Sequence, residues 1–377
     1  MWFRRKKQSV EGPYSLMLSN GRFATPEGVV QTNLQIRDNH IEKIGNLSHH
    51  HRSDSLDLDG MLVTPGLIDA EHPLDEDCFS PLKPGPYLDR EKRQNELEVE
   101  FAEIIQQANK AGDIRFNAGF LDSLKNGVTT VASPRRPNTL PVSIRLPWST
   151  WISSLIIEKN PAKKFVQARS EPVFVSLADG DSRAKSRELQ LASEWGMLAP
   201  NLMAVGGVAL TPNGSRHLAA AGSFLIWRPL TDEYVFGRTI NADVLKQTGL
   251  QVLIGAGSRR DGGQGLLAAL QRADRLGHLD RHQLLDAVTN LGASAFQIPA
   301  GRIREGHYAD FAVWRADSVE SAIFELGRDT LEMVILNGRV VLCRESSRHL
   351  VPNADLLLPV EKEPGLYCVI DQAPCFT

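Results

Sequence analysis

The sequence is poor in the side chains that build disulfide frames and soft-metal centres. It has 4 cysteines in 377 residues, at positions 78, 343, 368 and 375, and none belongs to a C-x-x-C pair. That excludes a disulfide scaffold and a structural zinc ribbon, and it suits reduced thiols in the cytoplasm. Cys368 and Cys375 alone lie near enough in sequence to approach one another. The 10 histidines are unevenly spread, and none falls between His72 and His217. Neither charge sign dominates: 42 basic against 45 acidic residues leave a net charge of -3, which gives no reason to expect nucleic acid. No apolar run reaches the length of a membrane span. Arg4-Arg5-Lys6-Lys7 is a short basic start with no apolar stretch behind it, so it reads as a solvated arm rather than a signal peptide or anchor.

What is present is ordinary in bulk and specific in places. A hydrophobic content of 42% and a charged content of 23% are those of a globular protein. The length suits a barrel with a satellite domain. The most informative stretch is Met61-Leu-Val-Thr-Pro-Gly-Leu-Ile-Asp-Ala-Glu-His-Pro-Leu74. An apolar run enters it, Pro65-Gly66 turns it, and Leu67 to Ala70 leaves as a short buried strand ending in charge.

Around that stretch the pattern alternates between strands and helices. Ser15 to Ser19, with Asn20-Gly21 as a hairpin signal, is followed by alternating strands at Asn33 to Arg37 and His40 to Ile44. His49-His50-His51 reads as a solvated loop. The Pro-rich loop from Pro81 to Pro86 reads as a cover over a site. Leu97, Phe101, Ile104, Ile105 and Ala108 are spaced for one long helix. Residues 116–124 read as a second helix, stopped at Gly127, and Val128 to Ala132 as a strand. Buried strands are expected at 172–178, 202–208, 223–227 and 250–254, helices from Asp280 to Phe296, and a hairpin at Val334 to Val341.

Three motifs carry a resemblance. Pro65-Gly66-Leu67-Ile68-Asp69-Ala70 resembles the "PGLID-A" segment of the amidohydrolase superfamily, in its deaminase and chlorohydrolase branch. Ser123-Leu-Lys-Asn-Gly-Val-Thr-Thr-Val131 is similar to its entry to the second barrel strand. Gly301-Arg-Ile-Arg-Glu-Gly306 through Ala309-Asp310-Phe311 is similar to its return to a small β module. The resemblance covers about residues 15–345. It implies an α/β fold: a (β/α) barrel of the TIM type, with about seven strands legible and residues 134–170 irregular, plus a small β-sandwich from both chain ends. The expected division is 1–60 and 305–350 for the sandwich, 61–304 for the barrel, and 351–377 as a C-terminal tail.

The family hydrolyses carbon–nitrogen bonds other than peptide bonds with zinc or iron. Its ligand positions map onto Glu71 and Pro73 (where it has His-x-His), Ser176, Gly206 and Gly257, and its catalytic carboxylate maps onto Asp179. Strand side chains alternate between faces, so Glu71 and Pro73 share one face and His72 takes the other. Without imidazole ligands a bound water is not acidified. The expectation is therefore a degenerate relative without a metal cofactor, serving as a ligand-binding or partner subunit, by itself as a homo-oligomer or beside an active homologue. The rival is an active hydrolase using Asp69, Glu71 and Asp179 for acid/base work, with or without a hard cation such as magnesium. Arg228, Thr231, Asp232 and Arg259 are the candidate ligand-binding residues, and both Arg228 and the Arg259-Arg260 pair suit an anion. His217, His278 and His282 read as structural.

Overall fold

The computed structural model describes residues 15–47, 54–168, 170–352, 354–361, 363–370 and 375. The basic start and the His49-His50-His51 run lie outside the described residues. Five strands precede the central turn: β1 (Ser15–Thr25), β2 (Gly28–Arg37), β3 (His40–Gly45), β4 (Asp54–Asp57) and β5 (Leu62–Pro65). Seven follow it: β6 (Leu67–Asp69), β7 (Val128–Val131), β8 (Thr150–Ile152), β9 (Val173–Leu177), β10 (Leu202–Gly206), β11 (Phe224–Trp227) and β12 (Gln251–Ile254). The last five are β13 (Phe311–Trp314), β14 (Leu331–Leu336), β15 (Arg339–Arg344), β16 (Leu358–Pro359) and β17 (Leu366–Cys368).

The first and last groups hydrogen-bond into a single ten-stranded sheet, in the order β16-β17-β15-β14-β13-β5-β1-β2-β3, with β4 also paired to β1. The strands of both chain ends share one core. Together they enclose Leu16, Leu18, Phe23, Phe311 and Ile335. The junction is β5 against β13, where the Trp314 indole N–H donates to Thr64 Oγ1 at 2.9 Å. Residues 351–377, expected as a tail, are in part the edge of this sheet, because β17 pairs with β15 and β16 with β17.

The Asn20-Gly21 pair does not turn the chain. β1 runs through it as a bulge, with Asn20 at a φ of 54° and the register slipping between Leu18 and Gly21. The hairpin turns at Pro26-Glu27 instead, with Thr25 paired to Gly28. Asn and Gly tolerate a bulge for the same reason they favour turns, namely easy access to positive φ.

The middle group is parallel. β8 to β12 form one five-stranded sheet and β6 pairs with β7. The two sheets meet where the Ala70 N–H donates to the Ile254 carbonyl at 3.1 Å and the Gly257 N–H to the Glu71 carbonyl at 3.0 Å. On the far side, Arg145 makes an isolated parallel bridge with Thr130. No strand pairing joins that bridge to β8 among the described residues. The stretch between β7 and β8 thus contributes a bridge and not a strand. Four prolines between Pro134 and Pro147 explain it, since they remove ladder donors, and the few residues from Arg145 to β8 cannot hold a crossover helix. Ile68, Phe174, Val205 and Leu253 fill the space inside the parallel strands.

The expected long helix is two. Asp89 caps α1 (Arg90–Glu100) by accepting from the Lys92 N–H, and the chain breaks at Phe101 before α2 (Ala102–Lys110). α3 (Asn117–Lys125) then leads into β7 through Asn126-Gly127. The expected helical stretch near residue 288 is also interrupted, where the Val288 carbonyl accepts from the Ile68 N–H at 2.8 Å.

Candidate functional site at the carboxyl ends of the parallel strands

The carboxyl ends of β6, β9, β11 and β12, with β8 beside them, surround a cavity of about 230 Å³. A hollow of about 570 Å³ opens at the opposite ends, around Lys246 to Val252 and His278. Sites in folds with parallel strands lie at the carboxyl ends, and the charged groups converge on the smaller space. Glu71 and Pro73 reach it from the end of β6, as their shared strand face requires. Ser176 and Asp179 come from β9, Arg228 and Thr231 from the turn after β11, and Gly257 and Ser258 from the turn after β12. Trp151 and Ile152 on β8 add apolar wall, and Arg90, Arg135 and Arg260 enter from outside the strands.

The charges form a chain of ion pairs. Asp179 accepts from Arg228 Nη2 and Arg90 Nε, each at 2.7 Å, and from Ser176 Oγ at 3.3 Å. Asp261 accepts from Arg90 Nη1 at 2.6 Å, Arg93 Nη1 at 2.7 Å and Arg260 Nε at 3.1 Å. Glu76 pairs with Arg260 at 3.0 Å and with Arg135 at 2.7 Å. Behind Arg228 lies Asp232, 3.4 Å away and fully buried.

Burial and pairing divide the carboxylates into two groups. Burial alone would raise Asp179, but Arg228 and Arg90 outweigh it and hold the group below its ordinary range. Asp261 is driven far down by Arg260, Arg90 and Arg93 against its own burial. Glu71 goes the other way: burial pushes it up to about 7, and Arg228 and Arg90 offset this only in part. Its Oε2 has no hydrogen-bond partner and lies 3.8 Å from Arg228 Nη1. Burial also pushes Asp232 up to about 7.

The expected residues separate accordingly. Glu71, Pro73, Ser176, Asp179, Arg228, Thr231 and Gly257 line the cavity. Gly206 sits directly behind Asp179, since a Cβ on it would lie 2.7 Å from the Asp179 Cβ. Asp232 supports Arg228 from behind instead of lining. Arg259 is exposed and faces a neighbouring cleft with Asp77 and Asp122, so the arginine of that pair turned toward the cavity is Arg260. The 3-10 turn Arg259–Asp261 points the two side chains apart. Asp69 does not line the cavity either. Its Oδ1 accepts the N–H groups of Ala256 at 3.0 Å and Glu71 at 3.2 Å, tying two strand ends together.

Sequence reading missed Arg90, Arg93 and Trp151. The only local signal was the i, i+3 spacing of the two arginines on one helix face, which a solvated helix shows equally often. Trp151 stacks on Phe174 with ring centroids 4.0 Å apart. His278 stacks on Trp227 at 5.8 Å, and His217 is exposed.

The metal implied by the resemblance can be tested against these donors. Among the described residues, neither histidine nor cysteine lines the cavity. Pro73 and Gly257 offer no side-chain donor, and Asp179 is engaged by two guanidiniums. The lining does not supply a zinc or iron shell. Among the described residues, the ligand atoms of one group elsewhere, His72, Asp77 and Asp122, lie within 4.8 Å of one another. Their atoms are already paired. His72 Nε2 donates to Asp77 Oδ2 at 2.8 Å, Asp77 Oδ1 accepts the Arg259 N–H at 2.7 Å, and Asp122 accepts from Arg328 at 2.7 Å. Burial alone would lower His72, but Asp77 and Asp69 outweigh it and raise the imidazole well above its ordinary value. His72 and Asp77 are buried and Asp122 is half-buried, and each already holds an ion-pair partner.

Residues 249–342 match the model of the amidohydrolase family. No curated protein sequence matches the chain. A triazine hydrolase from Arthrobacter aurescens is similar in structure, with a TM-score of 0.63 at 17% identity over 87% of this chain and 94% of that one. An adenosine deaminase from Xanthomonas campestris, solved with bound zinc, has a TM-score of 0.66 at 14% identity over 87% and 92%. Helicobacter pylori aminofutalosine deaminase has a TM-score of 0.60 at 14% identity, over 87% of this chain and 100% of its own. At such identities the likeness is one of fold. The match to the amidohydrolase family model covers the segment from β12 to β15, and over most of its length the chain shares the fold of these enzymes.

Proposed function

We propose that this protein is a metal-free relative of the deaminase and chlorohydrolase branch that binds a small molecule in the cavity at the carboxyl ends of its strands. One observation carries the reading: the Arg228 guanidinium, hydrogen-bonded to Asp179 at 2.7 Å and 3.8 Å from Glu71, supplies the positive charge that these carboxylates would otherwise take from a metal. Removing the cation from such a buried pair is costly, so a metal would have to displace a built-in partner. Metal analysis of the purified protein by mass spectrometry, beside deaminase and amidase assays, tests it. The expected result is substoichiometric zinc and iron. Near-equimolar metal with chelator-sensitive activity would overturn the reading.

A second reading has its own support. Glu71, near 7 and lacking a partner on Oε2, has the properties of a general acid/base at neutral pH. In that case the protein hydrolyses a non-peptide carbon–nitrogen bond without metal, and Asp179, held ionised by two arginines, orients instead of exchanging protons. Turnover by the metal-free protein that Glu71→Gln abolishes would favour this reading over binding alone. The four free thiols fit a cytoplasmic location, and association with an active homologue or with a second copy remains part of the proposal. No helix among the described residues is long and apolar enough to cross a membrane.

A further inference from the structure

Three residues lining the cavity keep a buried polar atom without a partner: Arg228 Nε, Arg90 Nη2 and Glu71 Oε2. Buried donors and acceptors of this kind are rare, because each forfeits its hydration without compensation. Two are cationic donors and one is an acceptor, and Arg90 and Arg228 are joined through the Asp179 carboxylate they share at 2.7 Å. A ligand that satisfied all three would bring an anionic oxygen to the arginines and a donor hydrogen to the glutamate.

The lining sets further limits. It holds four arginines and four carboxylates and no lysine. The charges of the lining balance, and among its cationic N–H groups only Arg228 Nε and Arg90 Nη2 are buried without a partner, which suits a monoanion and disfavours a dianion such as a phosphate monoester. The volume of about 230 Å³ is below the roughly 300–1,000 Å³ of ordinary ligand pockets, so the molecule is small. Trp151 and Ile152 give its body an apolar wall, and Trp151 is braced by its stack on Phe174.

We propose that the cavity binds a small monocarboxylate that also carries an N–H group, its carboxylate held by Arg90 and Arg228 and its N–H directed to Glu71. This rests on the metal-free binding reading above and adds the class of ligand.

The test uses the full chain and four probes in isothermal titration calorimetry. N-acetylglycine carries both features, acetate the charge alone, N-acetylglycinamide the N–H without charge, and glycerol 3-phosphate is a dianion. N-acetylglycine is expected to bind one to one and at least tenfold more tightly than the other three. Arg90→Gln is the primary variant, because Asp179 keeps Arg228 and Asp261 keeps Arg93 and Arg260 when it is made. It should weaken N-acetylglycine tenfold or more, the loss of one charge-assisted hydrogen bond, and leave N-acetylglycinamide unchanged. Arg228→Lys, which retains a cation for Asp179 and Asp232, should weaken it less than Arg90→Gln. Equal binding of the neutral amide, preference for the phosphate, no binding of any probe, or an Arg90→Gln protein that binds as wild type each overturns the inference. Metal content measured on the same sample separates the two readings. Stoichiometric zinc would defeat the metal-free function, whereas a metal-free protein without the expected ligand order would defeat the ligand class alone.

Discussion

Replacing Glu71 with glutamine removes a carboxyl that burial pushes from its ordinary 4.5 up to about 7. A shift of that size corresponds to roughly 3 kcal/mol at about 1.4 kcal/mol per pKa unit. In the unfolded chain the group loses its proton near its ordinary value, whereas in the folded protein it keeps the proton until about pH 7. The folded state therefore binds more protons across this window, and its stability falls as pH rises through it. Asp232, also pushed up to about 7, acts in the same direction. Both groups border Arg228, so their contributions are not additive. Asp179 and Asp261, held low by their arginines, contribute stability that is lost only as pH falls below about 3.8, outside the window. Urea unfolding at intervals from pH 4.5 to 7.5 should show wild-type stability declining toward neutral pH. Glu71→Gln should flatten the decline by up to about 3 kcal/mol and be the more stable protein at pH 7.5. Parallel curves for the two proteins would mean that Glu71 is ionised throughout, and the argument from its burial would fail.

Other outcomes follow from the same network. Asp261→Asn leaves Arg90, Arg93 and Arg260 without their shared anion and should cost about 3–5 kcal/mol in chemical denaturation. Gly257→Asp, the smallest step toward the family's ligand set, meets Thr231 Oγ1 at 2.0 Å from a backbone at φ +66°. It should cost at least about 3 kcal/mol, through overlap and a buried charge, and Thr231→Ala should recover only part of it. Zinc added to the wild type should leave the thermal midpoint unchanged, because ligand-linked stabilisation needs a site in the folded state and the donors of His72, Asp77 and Asp122 are already spent on one another, on the Arg259 N–H and on Arg328.

The strands that carry the cavity were legible because each is a short apolar run bounded by turn residues, as at Val173–Leu177 and Gln251–Ile254. Their alternation placed Glu71 and Pro73 together on the cavity side. Two kinds of feature were not legible. Local patterns with two physical solutions misled, as when Asn20-Gly21 made a bulge in place of a turn. Long-range contacts left only an ambiguous local trace: Arg90 meets Asp179 from a helix 89 residues earlier, marked by nothing but its i, i+3 spacing from Arg93. The choice between Arg259 and Arg260 depended on one 3-10 turn, which no spacing rule resolves.

The sheet shared by both chain ends has a consequence for synthesis. Thr64 and its partner Trp314 are 250 residues apart. At about 5–20 residues per second, the ribosome takes roughly 10–50 s to deliver β13 after β5 has emerged. For that interval the edge of β5 that β13 will cover stays open, beside the apolar face of β1. An unpaired edge of this kind recruits other strands, so polysome crowding or loss of a nascent-chain chaperone should bear on the yield of this protein more than on that of a barrel whose sheet is completed by neighbours in sequence.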